Sequence, residues 1–240
     1  MTSETNDYSF IENIRDKDNW IKSREKKAAK IRKILSESTC PLSDKRILDL
    51  GCSIGLISTE LSKDALFVVG CDVDVKTLKI ALKNSKIDRN IFFLAADGLN
   101  LPFKENSFDI AILNQVLDYV SDPAYTVSEV RGVLEDNGLC YLSATNKLFA
   151  EPAKKIKLIH TLFFKGESYF GTPYFLHQIK RFFVGFDFTD ITADIIRRPK
   201  DYNVDGIPTV ISHLFRILPE RLTRMLVYFT PSWVILLKKI

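Results

Sequence analysis

Short apolar runs alternate with helical segments over residues 45–147, and glycine or a polar residue follows most of the runs. Their length and their content of valine, isoleucine and phenylalanine predict strands. The runs are apolar throughout, which is typical of a parallel sheet covered by helices on both faces. The sequence therefore predicts an α/β fold with a doubly wound, mostly parallel sheet of seven strands. The predicted strands are 47–50, 67–71, 91–95, 108–113 and 139–144, followed by 186–196 and 233–237.

Helical periodicity fills the intervals between these strands. A charged helix is predicted over 11–38, with Ile31, Ile34 and Leu35 as its apolar stripe, and a second over 56–61. A third has Val75, Leu78, Ala81 and Leu82 at helical spacing, with Asp74 as its N-cap. A fourth runs from Asp122, as N-cap, and Pro123 to about Glu135.

The two ends of the chain differ in charge. Residues 1–150 have 20 basic and 22 acidic side chains, whereas residues 151–240 have 14 and 8 and also contain 15 of the 27 aromatic residues. Two basic amphipathic stretches lie there, at 154–164 and 211–229. They are expected either to cover the sheet and wall an acceptor site or to contact an anionic membrane surface. No nucleic-acid partner is expected, because the aromatic residues cluster with apolar ones.

The cysteines Cys40, Cys52, Cys71 and Cys140 show neither C-x-x-C nor metal-ligand spacing. They indicate free thiols in a reducing compartment and no metal site. The first 30 residues lack the apolar stretch of a secretory signal, and no apolar run is long enough to span a bilayer. We therefore expect a cytoplasmic protein, with peripheral membrane contact left open.

The turn after the first strand carries the strongest chemical signal. Asp49, Gly51, Ser53 and Gly55 alternate with other residues between a strand and a helix. Glycines let the backbone approach a ligand, the N–H groups of a helix start favour a carboxylate, and Asp49 can balance an ammonium group. The segment does not match the dinucleotide fingerprint.

A serine nucleophile is the competing interpretation of this turn. Residues 51–55 match the G-x-S-x-G elbow of serine hydrolases, with Ser53 as nucleophile. The elbow requires several preceding strands, and none of His160, His177 and His213 lies in a strand–loop context. The position of the turn after the first strand therefore favours a cofactor loop.

Carboxylates at the ends of the next two strands support that choice. Asp72 ends the second strand, where a carboxylate can accept both hydroxyls of a ribose. Asp97 and Gly98 follow the third strand, where a carboxylate can accept an adenine amine, and Asn114 ends the fourth. Ligands of such sheets bind outside the carboxyl ends of the strands.

Together these segments resemble the class I S-adenosylmethionine-dependent methyltransferases, especially the small-molecule branch that includes quinone-biosynthesis enzymes. The matching segments are ILDLGCSIG, VVGCDVD, AADGLNLPFKENSFDIAILNQVLDYVSDP and GLCYLSATN. The resemblance implies a Rossmann-like methyltransferase fold, S-adenosyl-L-methionine as cofactor and a small, apolar or lipid-linked acceptor. It implies cofactor contacts at Asp49, Gly51, Cys52, Gly55, Asp72, Val73, Asp97, Gly98, Asn114 and Gln115.

The resemblance also suggests how the chain is organised. We expect one methyltransferase domain over 1–240, with a helical lid at 1–40 and a cofactor-binding core at 45–147. Segments 148–185 and 207–230 are expected to cap the substrate or face a membrane. The oligomeric state is not predicted.

The sequence departs from the family pattern at two positions. Ser53 replaces the middle glycine of the first motif, and Tyr119 replaces the histidine usual after the fourth strand. The candidates for a general base are Tyr119, Asp118, His177 and Glu151, with wall packing, helix-face or solvated surface roles as alternatives. No catalytic base is assigned, and Tyr119, Asn146 and His177 are expected near the acceptor. A non-catalytic module that binds the same cofactor is the alternative function.

Overall fold

A computed structural model describes residues 17–39, 41–85, 90–148, 150–151, 171–197, 218–219, 221–222, 230 and 232–240. Seven strands form one sheet in the order β3-β2-β1-β4-β5-β7-β6. They are β1 (Arg46–Leu50), β2 (Phe67–Asp72), β3 (Ile91–Ala95), β4 (Phe108–Asn114), β5 (Leu134–Thr145), β6 (Phe186–Asp190) and β7 (Ser232–Lys239). β7 runs antiparallel to β5 and β6, and the other described pairings are parallel. The predicted seven-stranded, mostly parallel α/β fold is confirmed.

Six α-helices lie in the described part of the chain. They are α1 (Lys17–Ser38), α2 (Leu56–Ser62), α3 (Val75–Asn84), α4 (Pro123–Val133), α5 (Leu176–Phe182) and α6 (Thr192–Arg197). Asp74 and Asp122 cap α3 and α4 as predicted, accepting from the N–H groups of Lys76 and Tyr125. None of the described helices has the length and apolar content that crossing a bilayer requires.

The chain divides into two compact units, residues 1–97 and 98–240. In the first unit, strands β3, β2 and β1 are adjacent, and α1 packs against α2. The predicted stripe of Ile31, Ile34 and Leu35 is buried. Arg32 joins the two helices through ion pairs with Glu60 and Asp64, both 2.7 Å long.

The second unit contains β4, β5, β7 and β6, with α4, α5 and α6. The fully buried side chains of Tyr141 on β5 and Trp233 on β7 contribute to its core. Within each unit, the polar residues that follow the parallel strands therefore gather at the carboxyl ends of neighbouring strands.

Two predicted boundaries were wrong. The strand predicted over 186–196 ends at Asp190, whose carboxylate accepts from the Thr192 N–H at 2.9 Å, and α6 begins at Thr192. The helix predicted to reach Glu135 ends at Val133, because residues 134–138 already belong to β5. That strand pairs irregularly with β4 near its start, and Asn137 has a φ of 64° there.

One apolar face also differs from the prediction. On α3, Leu78 and Ala81 are buried, but Val75 and Leu82 are exposed. Residues 1–16 of the predicted lid lie outside the described residues, as do most of segments 148–185 and 207–230, Cys40 and the basic stretch at 154–164. The single-domain organisation stays a prediction.

Candidate functional site

The turn between β1 and α2 is anchored on the end of β2. The N–H groups of Gly51 and Cys52 both donate to the Cys71 carbonyl oxygen, at 2.7 and 2.9 Å. Gly51, Ser53 and Gly55 all have positive φ, at 70°, 52° and 75°. Only glycine adopts this region without strain, so the two glycines permit the turn and Ser53 adopts it at some cost.

Asp72 holds the same turn from the second strand. Its Oδ2 accepts from the Ser53 N–H at 2.8 Å, and its Oδ1 accepts from the Asp74 N–H at 2.9 Å. The side chain is half-buried, and burial raises its pKa against the opposing effect of these hydrogen bonds. Each carboxylate oxygen has a second lone pair, so Asp72 retains acceptor capacity for a ligand.

Asp49 lies deeper than expected. Its exposed fraction is 0%, and its Oδ2 accepts from the Ser58 hydroxyl at 2.5 Å in the first turn of α2. Burial raises the pKa of the carboxyl to about 7, with the Ser58 hydrogen bond lowering it and the charge of Asp72 raising it. The other oxygen, Oδ1, is buried without a hydrogen-bond partner among the described residues. Asp49 therefore contacts α2 and leaves one acceptor atom unsatisfied.

Gly55 is required by packing as well as by its backbone angle. A Cβ at this position would lie 2.6 Å from Phe93 Cζ and 2.9 Å from Ala81 Cβ. Gly70 on β2 faces the same phenylalanine, with 2.8 Å from a Cβ to Phe93 Cδ1. Gly55 was predicted to allow the close approach of a ligand, but the Phe93 ring occupies the space that a Cβ at this position would need. Phe93 was missed because nothing in a strand of apolar residues distinguishes it.

The remaining predicted positions of the first unit lie nearer to solvent. Val73 follows β2 and is 48% exposed, and Asp97 follows β3 and is also exposed. Cys52 and Cys71 are buried free thiols, as is Cys140 in the second unit. Within the first unit, the carboxyl ends of β1, β2 and β3 therefore present a buried acid, a half-buried acid and an exposed one.

In the second unit, the end of β4 is tied to β5. Asn114 Oδ1 accepts from the Ser143 hydroxyl at 3.0 Å, and the Gln115 N–H donates to the Ser143 carbonyl oxygen at 2.8 Å. Gln115 has a φ of 60°. Gly98, which opens this unit, is buried. Ser143 thus fixes Asn114 and Gln115, two of the predicted cofactor contacts.

Asp118 is not a solvated surface residue, the alternative that the sequence analysis allowed. It is 2% exposed, and its Oδ2 accepts from the Thr145 hydroxyl at 2.8 Å. The Tyr174 hydroxyl donates to the Leu117 carbonyl oxygen at 3.2 Å, and burial and the charge of Asp118 raise the pKa of this phenol. The Asp118 carbonyl oxygen accepts from the Thr172 N–H at 2.6 Å. Asp118 therefore joins the segment after β4 to β5 and to residues 172–174.

The Asp118–Thr145 contact predicts a measurable loss of stability. Thr145→Val keeps the shape of the side chain and removes the donor to a buried carboxylate. We expect the free energy of unfolding to fall by about 1–3 kcal/mol in urea denaturation. Thr189→Val, at an exposed position of β6, is the control and should change it by no more than about 0.5 kcal/mol. Equal stability of both variants would show that the hydroxyl contributes nothing.

The other acceptor-site candidates occupy different environments. Tyr119 is 48% exposed, and His177 lies exposed on α5, stacked on Phe175 with ring centroids 5.6 Å apart. Asn146 is fully buried, and its amide donates to the Thr230 carbonyl oxygen and accepts from the Leu148 N–H. Glu151 is exposed. The Asn146 side chain thus bonds to main-chain groups, while Tyr119 and His177 have surface exposed to solvent that a ligand can contact.

Three comparisons with known proteins agree with this fold. Residues 48–142 match a family model described as a methyltransferase domain. A demethylmenaquinone methyltransferase of Corynebacterium kroppenstedtii is 35% identical over 107 residues, covering 45% of this chain and 44% of that protein. The ubiquinone/menaquinone biosynthesis C-methyltransferase UbiE of Wigglesworthia glossinidia brevipalpis is 31% identical over 160 residues, covering 61% of this chain and 63% of that protein. The chain thus spans about half to three fifths of the length of these relatives.

A solved structure extends the comparison to most of the chain. The S-adenosylmethionine-dependent methyltransferase of Mesorhizobium loti superposes with a TM-score of 0.58 at 20% identity, covering 86% of this chain and 96% of that one. At this identity the likeness concerns the fold. Together, these matches confirm the predicted resemblance and the predicted Rossmann-like fold.

Proposed function

We propose that this chain, whose residues 48–142 match the methyltransferase domain, transfers the methyl group of S-adenosylmethionine to a small apolar acceptor. The observation that carries the proposal is the hydrogen bond from the Ser53 N–H to Asp72. It holds the turn assigned to the methionine end of the cofactor against the acid assigned to its ribose. The cofactor agrees with the one named for the Mesorhizobium loti enzyme. The family match also favours this function over a serine hydrolase acting through Ser53.

The residues at the strand ends suit the chemical groups of this cofactor. Asp72 keeps acceptor capacity for ribose hydroxyls, and exposed Asp97 can accept from an adenine amine. The unsatisfied Oδ1 of Asp49 is a buried acceptor that a cationic group can compensate. We assign cofactor binding to Asp49, Gly51, Cys52, Gly55, Asp72, Val73, Asp97, Gly98, Asn114 and Gln115.

In the reaction, the protein positions the cofactor and the acceptor and excludes water from them. When bound, the sulfonium supplies an already electrophilic methyl group, so proximity and orientation account for most of the acceleration. Asp72 holds the turn at 51–55 in the first unit, and Ser143 holds Asn114 and Gln115 in the second. A base is needed only if the acceptor loses a proton. Asp118 is buried and accepts hydrogen bonds from Thr145, which leaves Tyr119, His177 and Glu151 as the exposed candidates.

Asp72→Ala tests the cofactor assignment directly. We expect the affinity for S-adenosylmethionine in titration calorimetry to fall by roughly 1.5–3 kcal/mol, from loss of a charged acceptor. Asp74→Ala is the matched control, because it removes the α3 cap and costs about 1 kcal/mol of stability but leaves Asp72 in place. If a folded Asp72→Ala protein binds the cofactor as tightly as the wild type, Asp72 is not part of the site.

The acceptor class is inferred from two features of the chain. One relative is named for demethylmenaquinone and another for ubiquinone and menaquinone biosynthesis. The basic last 90 residues contain 15 aromatic residues suited to a prenylated or lipid-linked compound. We therefore propose segments 148–185 and 207–230 as the acceptor cap and 1–40 as the lid of one domain. We further propose a cytoplasmic enzyme that contacts membranes peripherally.

Methyl transfer itself can be measured without knowing the acceptor. The protein is incubated with cofactor carrying a radiolabelled methyl group and with fractionated lipid extract. Label recovered in a lipid product is the expected result, and Asp72→Ala should abolish most of it. Tight cofactor binding with no label transferred to any fraction would favour the alternative, a non-catalytic binding module.

A further inference from the structure

The solvent side of α3 has a row of lysines without acidic neighbours on the same helix. Lys76, Lys79 and Lys83 are all exposed, and the helix contains no Asp or Glu. Residues three and four positions apart share one face of a helix, so the three ammonium groups form a single stripe. We call this stripe, together with Val75 and Leu82, the lysine face.

The lysines have no counter-charge within the part of the chain that the structure describes. The ammonium groups of Lys76, Lys79 and Lys83 make no ion pair or hydrogen bond there, whereas the Arg32 guanidinium on α1 binds two carboxylates. Like charges three or four residues apart on a helix repel and lower its stability. The arrangement is therefore unfavourable for the isolated protein and is relieved by an external anion.

Exposed aliphatic side chains accompany the lysines. Val75 is 51% exposed and Leu82 is 60% exposed, and both lie on the same flank of the stripe, while Ile80 on the other flank is 38% exposed. The opposite side of α3 packs inward through Thr77, Leu78 and Ala81. Leucine and valine give no surface for stacking nucleic-acid bases, but they can enter the acyl boundary of a bilayer.

We propose that the lysine face of α3 binds an anionic lipid surface, with the ammonium groups on headgroups and Leu82 at the acyl boundary. A polybasic segment flanked by aliphatic residues has both of the features that peripheral membrane binding uses. The biological role of this binding rests on the proposed function, since lipid binding would bring the enzyme to an acceptor that resides in a membrane. The binding itself requires neither cofactor nor acceptor.

Co-sedimentation of the full chain with vesicles tests the proposal. Vesicles of equal parts phosphatidylcholine and phosphatidylglycerol should bind the wild type, more weakly at high salt, and pure phosphatidylcholine should bind it poorly. The triple variant Lys76→Gln, Lys79→Gln, Lys83→Gln should bind at least about tenfold more weakly. Leu82→Ser should weaken binding severalfold with no change in charge.

The matched control is Lys17→Gln, Lys22→Gln, Lys104→Gln, which changes the net charge equally at exposed positions elsewhere. If both triple variants bind alike, or if the wild type does not bind, the proposal is wrong. If Leu82→Ser binds vesicles as the wild type does, and the protein binds a single-stranded oligonucleotide equally tightly, the lysine face binds nucleic acid instead. If the wild type transfers methyl groups but does not bind anionic vesicles, this inference is wrong and the proposed function is unaffected.

Discussion

Gly55→Ala should lower the free energy of unfolding by about 2–5 kcal/mol, measured by urea denaturation. Two costs add at this position. The added methyl would lie 2.6 Å from Phe93 Cζ and 2.9 Å from Ala81 Cβ, which is closer than van der Waals contact allows. The backbone at φ 75° is also strained for any residue with a Cβ. Movement of the Phe93 ring alone would not relieve the clash, because the buried Ala81 Cβ also lies within 2.9 Å.

Gly132→Ala supplies the matched control for Gly55→Ala. Gly132 lies in α4, and a Cβ there meets nothing within 4 Å. Alanine in a helix is favoured over glycine, so this variant should gain about 0.5–1 kcal/mol. A Gly55→Ala protein as stable as the wild type would mean that the turn relaxes away from Phe93, and the assigned role of Gly55 in packing would fail.

Asp49→Asn should remove a large part of the pH dependence of stability. The unfolded carboxyl has its ordinary pKa of 3.8, and burial raises that of the folded protein to about 7. Between these values the folded state binds more protons, so the free energy of unfolding of the wild type falls as pH rises from about 4 to about 7 and then stays low. For one such carboxyl, the free energy of unfolding falls by at most about 4 kcal/mol over this pH range. Asparagine does not ionise and keeps an acceptor for Ser58.

The measurement is urea denaturation at about pH 5 and about pH 8, on each side of the folded pKa. The wild type should be clearly less stable at the higher pH, and Asp49→Asn should show a smaller loss. Some loss remains, because burial raises the pKa of Asp72 in the same direction. Asp187→Asn, on the exposed side of β6, should retain the wild-type difference. An Asp49→Asn protein with an unchanged pH dependence would refute the assignment to Asp49.

The strands and the positions of the polar residues after them were predictable for a local reason. Short, largely apolar runs such as 67–71 and 108–113 have the length of buried strands, and Asp72 and Asn114 follow them directly. The caps Asp74 and Asp122 were predictable because an acid before a helix bonds to N–H groups two or three residues away. Where the local pattern was ambiguous, as at 186–196, a hydrogen bond from Thr192 to Asp190 decided in favour of a helix.

The sequence by itself determined the order of strands and helices over residues 45–147, the turn at 49–55 and its resemblance to a cofactor loop. These depend on residue types at short spacing, and backbone conformation responds to such spacing directly. Only the tertiary structure decided that Asp49 is buried against Ser58, that Gly55 accommodates Phe93, and that Asp118 is bound by Thr145, 27 residues away. Burial and pairing depend on which segments the sheet brings together, and no local pattern records that. The turn is therefore a tightly packed structure fastened to β2, in which Asp72 both holds the backbone and remains available to a ligand.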